Sequence, residues 1–260
     1  MTSDTETPDV PLDLLVPSAE RLGPDPAEQR LAALYATGGG RHVRANMIST
    51  VDGGAWGADH LSGSINDAAD WRVFRVLRAL ADVVLVGAGT ARAEGYRALR
   101  RPRGPAGAVP GPLELALVTR TGRLPEELTA TSPLVVTTRQ GARAIGAAVP
   151  PDRVVVAEGP RTAPGEVDLA AGLDALADRG LAAVLCEGGP HLLEAMLRAG
   201  LVDDLCVTTS PRLVGAGPGR IVAGAGGPGP AAGDRPARLG HLLHAPGTGT
   251  LLARWELRSA

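Results

Sequence analysis

Hydrophobic positions along this chain fall into short blocks of two periods. Runs of β-branched or alternating apolar residues recur at 43–49, 82–87, 113–119, 134–138, 153–157, 182–187 and 204–210. Each predicts a strand, because consecutive side chains of an extended backbone point to opposite faces. Between them the period lengthens. Val73, Phe74, Val76, Leu77 and Leu80 gather on one face at about 100° per residue, Arg72, Arg75 and Arg78 cover the rest, and Asp67 is placed to cap the helix. A second helix is predicted from Pro190, a favoured first-turn residue, to Ala199, with Gly200 as its stop. Strands alternating with helices predict an α/β fold, a mostly parallel central sheet flanked by helices on both faces. Residues 241–245 and 250–258, around Pro246 and Gly247, read as a C-terminal antiparallel hairpin. Residues 1–40 carry five prolines, a short helical pattern over 27–35 and three glycines at 38–40. They read as an N-terminal arm, leaving 41–260 as a single domain. Residues 216–236, dense in Gly and Pro without periodicity, predict a surface loop.

Composition narrows the function. The 260 residues are 44% apolar, enough for a sizeable core, and the net charge of −2 supplies no basic field to attract nucleic acid or an acidic membrane. No run approaches the roughly 18 apolar residues of a membrane span, and the first ten residues are acidic rather than basic and then apolar. A cytoplasmic protein is expected. All 26 cationic side chains are arginines. Schiff-base chemistry and a lysine-dependent phosphate loop are thereby excluded. Cys186 and Cys206 lie in apolar runs, as buried small residues do, and the five histidines have no companions at metal-ligand spacing, so neither a disulfide nor a metal site is expected.

Candidate chemistry gathers at two strand ends, where open parallel sheets bind ligands. After residues 83–86 come Gly87, Ala88, Gly89, Thr90, Ala91 and Arg92. The glycines admit a phosphate close to the backbone, and Thr90 and Arg92 offer donors, though a tight turn without ligand fits equally. After residues 184–186 come Glu187, Gly188, Gly189, Pro190, His191 and Leu192, a strand opening directly into a helix N-terminus suited to a pyrophosphate. Glu187 at the mouth of an apolar strand needs a partner, either a ligand's donors or neighbouring backbone amides. A third group comprises Asn46, Asp52, Ser62 and Arg78, followed by Glu94, Arg97, Arg100 and Arg101. Arginines beside a hydroxyl form a plausible phosphate-monoester pocket, and solvated surface charge is the plain alternative.

Together these segments resemble the reductase domain of bacterial riboflavin-biosynthesis deaminase/reductases and its stand-alone pyrimidine reductase relatives, which share a dihydrofolate reductase-like fold. The resemblance is carried by NMISTVDG at 46–53, LRALADVVLVGAGT at 77–90, CEGGP at 186–190, and LVDDL at 201–205 leading to SPRLVG at 210–215. It covers about residues 41–258. The zinc-binding HxE and PCxxC signatures of the deaminase half have no counterpart. The resemblance implies NADPH-dependent reduction of 2,5-diamino-6-ribosylamino-4(3H)-pyrimidinone 5′-phosphate, or its 5-amino-uracil analogue, to the ribitylamino product. It also implies a homodimer. By the same resemblance Gly87, Gly89, Thr90, Arg92, Gly188, Gly189, His191 and Leu192 would hold the cofactor. Asp52 and Glu187 would be catalytic, fixing pyrimidine and ribose together with Asn46. Ser62, Arg78, Glu94 and Arg97 or Arg101 would bind the phosphorylated substrate. Two departures stand out. Asn46 replaces the lysine of some bifunctional members, and the residues after Glu94 lack the usual Asn-Pro. Arg120 and Arg123 could receive a 2′-phosphate or be ordinary surface arginines. A dihydrofolate or pterin reductase is the alternative enzyme, although its acid would fall near Asp67 and Asp70, where the sequence shows little aromatic surrounding. A catalytically silent NADPH-binding homologue is the non-enzyme alternative.

Overall fold

The alternating runs pair into an 11-stranded sheet, in a computed structural model that describes residues 9–159, 162–224 and 236–257. Its strands are β1 Leu12–Val16, β2 Glu20–Leu22, β3 His42–Thr50, β4 Val83–Gly87, β5 Glu114–Thr119, β6 Leu134–Thr137, β7 Val154–Val156, β8 Ala183–Cys186, β9 Asp204–Ser210, β10 Arg238–Ala245 and β11 Thr250–Glu256. They lie in the order β2-β1-β10-β11-β9-β3-β8-β4-β5-β6-β7. From β9 to β7 every neighbouring pair is parallel, and β11, β10, β1 and β2 extend the sheet antiparallel. This is the expected dihydrofolate reductase-like layout with its C-terminal hairpin. Because β8 enters between β3 and β4, three strand ends from distant parts of the sequence open side by side. That juxtaposition creates the site.

Alternation along each strand divides the core into two layers. Val84 and Val86 of β4 and Leu185 of β8 join one apolar cluster with α1 (Gln29–Tyr35), α2 (Ala68–Leu80) and α3 (Ala88–Ala93). Val83, Leu85, Val184 and Cys186 join the other, under α6 (Leu169–Ala177) and α7 (Pro190–Arg198). Two further helices, α4 (Glu126–Thr129) and α5 (Arg139–Ile145), complete the crossovers. Asp67 caps α2 as expected, its side chain accepting from the Ala69 and Asp70 amides. Both cysteines are free and buried, and burial pushes their thiols up to about 12. No described helix is long and apolar enough to cross a membrane.

Two local expectations differ from the structure. Within the expected arm, residues 12–35 supply β1, β2 and α1, and Leu12, Leu14, Leu31 and Tyr35 are almost completely buried. β1 pairs with β10, more than 220 residues away, so no local pattern announces it. The glycine turn expected after β4 is the helix α3, because Ala88 and Ala91 stack one turn apart against the sheet. Of the expected loop at 216–236, residues 216–224 are irregular and 225–235 lie outside the described residues.

Candidate functional site

Two adjoining clefts open at the carboxyl ends of β3, β4 and β8. The first, of about 470 Å³, runs between Asn46, Met47 and Ile48 of β3, the α2 residues Asp70, Trp71, Phe74 and Arg78, and residues 94–100. Ser62, Glu187 and Gly189 also line it. The second, of about 1520 Å³, is bounded by Gly87, Ala88, Gly89 and Thr90 on one side and by Gly189, Pro190, His191 and Leu192 on the other, with Arg120 on its wall. Thr90, Gly189 and Pro190 face both.

The partition between the clefts is a pair of bends bonded to each other. Gly188 has φ +80°, a left-handed conformation that favours glycine, and its peptide bond to Gly189 is cis. The Gly87 amide donates to the Gly188 carbonyl (2.8 Å), and the Gly189 amide donates to Thr90 Oγ1 (3.1 Å). A Cβ on Gly189 would sit 2.2 Å from that same oxygen, so only glycine permits the approach. The helix beyond begins at Pro190, directing its first amides toward the second cleft. His191 stands exposed on this first turn, whereas the Leu192 side chain is buried in the core.

Glu187 has found partners other than the two expected kinds. Arg78 donates to it twice, Nε to Oε1 (2.8 Å) and a terminal nitrogen to Oε2 (2.9 Å), and the Tyr96 hydroxyl donates to Oε2 (2.6 Å). The carboxylate is 3% exposed and the Arg78 side chain 14%, with the guanidinium 4.2 Å over the Phe74 ring. Burial, reinforced by the Glu187 charge, raises the Tyr96 pKa well above its ordinary value, so the phenol stays a donor. Glu187 is therefore bonded to side chains from α2 and the post-α3 segment rather than to backbone amides, and Arg78, expected at a phosphate, holds this carboxylate. Tyr96 was not among the expected residues. Its signal is only that it falls among the residues after Glu94, which lack the usual Asn-Pro.

The remaining candidates divide. Asn46, Ser62, Glu94 and Arg97 are brought together in the first cleft, where a Glu94 oxygen accepts from the Ser62 amide at 3.0 Å. Arg97 and Arg100 are exposed there. Three candidates lie elsewhere. Arg101 points away, donating to the carbonyls of Arg78, Ala79, Ala81, Gly111 and Pro112, and so caps the end of α2. Arg92 is exposed and reaches the Arg123 carbonyl. Asp52 accepts from the Thr50 hydroxyl and from the Val214 and Gly215 amides, pinning the post-β9 loop to the end of β3. Those hydrogen bonds, the Thr50 one first, lower its pKa. In each case the nearest unsatisfied backbone or hydroxyl group claims the charge, a pairing that the linear spacing does not reveal.

One further residue belongs to the cleft, named in the sequence only for the alternative reductase. Asp70 is 5% exposed, accepts from the Thr208 hydroxyl on β9 and has its pKa raised to about 6 by burial. Among the described residues no cation pairs with it. Trp56, Trp71 and Phe74 line the same cleft, so the surroundings of Asp70 are aromatic after all. The Trp71 indole N–H is buried without an acceptor among the described residues.

The family model described as RibD C-terminal domain matches residues 41–232. No match to a curated protein was found. Among solved structures, a pyrimidine reductase-like protein from Corynebacterium diphtheriae is 26% identical, with a TM-score of 0.67 over 85% of this chain and 93% of its own. RibD from Acinetobacter baumannii is 19% identical with a TM-score of 0.61, and this chain spans only 59% of it. A riboflavin biosynthesis reductase from Saccharomyces cerevisiae is 15% identical with a TM-score of 0.60, over 87% of this chain and 95% of its own. The last two likenesses are of fold.

Proposed function

This chain belongs to the RibD C-terminal domain family, a reductase family, and from that premise we propose that it is an NADPH-dependent pyrimidine reductase of riboflavin biosynthesis. Its substrate in this reading is a ribosylaminopyrimidine 5′-phosphate, and its product is the ribitylamino compound. The observation that carries the reading is the partition itself: one glycine-lined wall faces a large cleft on one side and a small polar cleft on the other.

The residues fit the cofactor. A cleft of about 1520 Å³ accommodates a dinucleotide, and a side chain on Gly189 would intrude on Thr90 at the wall such a ligand would follow. Gly89, Thr90, His191 and Leu192 would hold its phosphates through backbone amides and the start of α7, Gly87, Gly188 and Gly189 would shape the wall it follows, and Arg120 is the candidate for a 2′-phosphate. When bound, the reduced nicotinamide supplies a hydride to C1′ of the open-chain imine. The exocyclic nitrogen takes up a proton as its double bond becomes single. The chain's own contribution is to hold the sugar across the partition. Asn46 and Ser62 present polar groups there, Arg97 and Arg100 present cations for the 5′-phosphate, and the Glu187–Arg78–Tyr96 unit shapes the floor. A homodimer in a soluble, cytoplasmic setting is part of the same reading. Leu251, 36% exposed on β11, offers it an apolar surface.

Asp70 among three aromatic rings favours a second reading, reduction of a dihydropterin in the same cleft. Parallel NADPH-oxidation assays with the ribosylaminopyrimidine phosphate and with dihydrofolate separate the two. Arg97→Ala is expected to raise KM for the phosphorylated substrate about tenfold while leaving the NADPH dissociation constant unchanged. NADPH binding without oxidation by either substrate would leave a silent homologue. Gly189→Ala is expected to weaken NADPH binding at least tenfold, read by nicotinamide fluorescence, because the new methyl group forces the two bends apart. Unaltered binding would count against the cradle.

A further inference from the structure

We propose that a pocket at the amino ends of β3, β4 and β8, the strand ends opposite to the two clefts, is a second ligand site that takes an apolar monocarboxylate. The inference does not depend on the reductase reading.

Alanines and glycines at 39–40, 106–107 and 182–183 leave open a space that larger side chains would fill. Its volume of about 530 Å³ lies inside the range of roughly 300–1,000 Å³ usual for small-molecule sites. Ala32 and Ala33 of α1, Leu77 and Leu80 of α2, and Val109 and Leu185 make its walls largely apolar. The polar exception is Arg44 of β3, whose side chain lines the pocket and is 7% exposed. One of its terminal nitrogens makes both of its hydrogen bonds, to the Tyr35 carbonyl (2.8 Å) and to Asp204 Oδ2 (3.0 Å). The other terminal nitrogen and the buried Nε have no acceptor among the described residues. Buried donors left in this state favour any ligand that brings them an acceptor.

Charge balance makes that acceptor an anion. Asp204 also bonds the His42 ring (2.9 Å) and accepts from Arg254 through both oxygens (2.9 and 3.2 Å). Two guanidiniums therefore share one carboxylate. Arg254 also has Glu256 at 3.8 Å, whereas among the described residues Arg44 pairs with Asp204 alone. An acid entering the pocket would supply the missing charge through charge-assisted hydrogen bonds. The walls limit how much charge enters. A phosphate monoester would surrender its hydration to apolar side chains, and Asp82, on the wall with one oxygen bonded to the Ala183 amide (2.7 Å), repels a second acidic group. One carboxylate at the head of a hydrocarbon body satisfies both conditions.

Octanoate, 3-phenylpropanoate, 1-octanol and octylammonium are titrated calorimetrically into the full-length protein in the presence of NADPH, which keeps the large cleft occupied. Octanoate is expected to bind at least tenfold more tightly than 1-octanol, as the loss of a hydrogen bond to a charged group predicts, and octylammonium is expected not to bind. The tighter of the two acids tells an alkyl from an aryl body. Ala33→Phe alters an exposed position of α1 on the pocket wall and fills the space. It is expected to abolish octanoate binding without changing the melting temperature. Arg44→Met keeps the length of the side chain and is expected to bind octanoate no better than 1-octanol. Because Arg44→Met also takes a partner from Asp204, the wild-type preference and Ala33→Phe decide the matter if that variant does not fold. Equal binding of octanoate and 1-octanol by the wild type overturns the proposal, as does octanoate binding that Ala33→Phe leaves unchanged. Failure of both acids to bind overturns it as well.

Discussion

Replacing Glu187 with alanine is expected to lower kcat/KM more than a hundredfold and to destabilise the fold by about 3–5 kcal/mol, the range for breaking a buried ion pair by removing one partner. The carboxylate accepts all three hydrogen bonds that join Arg78 and Tyr96 to it. Without it, a guanidinium that is 14% exposed loses this counter-charge and the partly buried Tyr96 hydroxyl loses its acceptor. Arg78 would swing from Phe74 toward water, and the floor of the small cleft would lose its shape. Melting should fall by roughly 10 °C. Glu187→Gln keeps the volume and one acceptor, so it should retain most of the stability and a measurable part of the activity. Tyr96→Phe, which removes one donor and leaves the ion pair, should cost about 1 kcal/mol. If Glu187→Ala melts with the wild type and turns over normally, the three residues do not act as a unit.

The second large effect lies where α2 meets the N-terminal segment. Arg72→Ala is expected to cost a similar 3–5 kcal/mol and to release the N-terminal segment from the sheet. The Arg72 side chain is 1% exposed and donates twice to Glu28, at 2.6 and 2.7 Å, and to the carbonyls of Val10, Leu22 and Gly23. Truncation strands a carboxylate that is itself 2% exposed, together with three carbonyls. Amide exchange over residues 12–35 should then accelerate before the parallel strands open. Combining Arg72→Met with Glu28→Leu removes both charges at once and should recover most of the loss, since apolar replacement of a buried pair is often neutral. Exchange in Arg72→Ala that stays uniform across the sheet would show that the segment is held by Leu12, Leu14 and Tyr35 alone.

These two pairs show where linear reasoning stops. The helix capped by Asp67 was legible from its arginines and apolar stripe, yet the roles of those arginines were not. Arg72 anchors the N-terminal segment, Arg78 holds Glu187, and Arg101, placed equally well by spacing, caps α2. Asp52 and Asp70 reversed in the same way. The glycine-flanked aspartate staples a loop, and the helical one lines the cleft. Charge identity is written in sequence, but partner choice depends on which groups remain unsatisfied once the chain is packed.

Hydropathy periods, the Asp67 cap, the Pro190 start and the glycine-flanked end of β8 determined by themselves the parallel core, its hairpin and the bend that opens into α7. These features depend on neighbours within a few residues, where backbone sterics and side-chain alternation decide the outcome. The insertion of β8 between β3 and β4, the pairing of β1 with β10, and the meeting of Glu187, Arg78 and Tyr96 were decided only in three dimensions. Their energy comes from burying and satisfying groups about a hundred or more residues apart, and no local pattern carries that information.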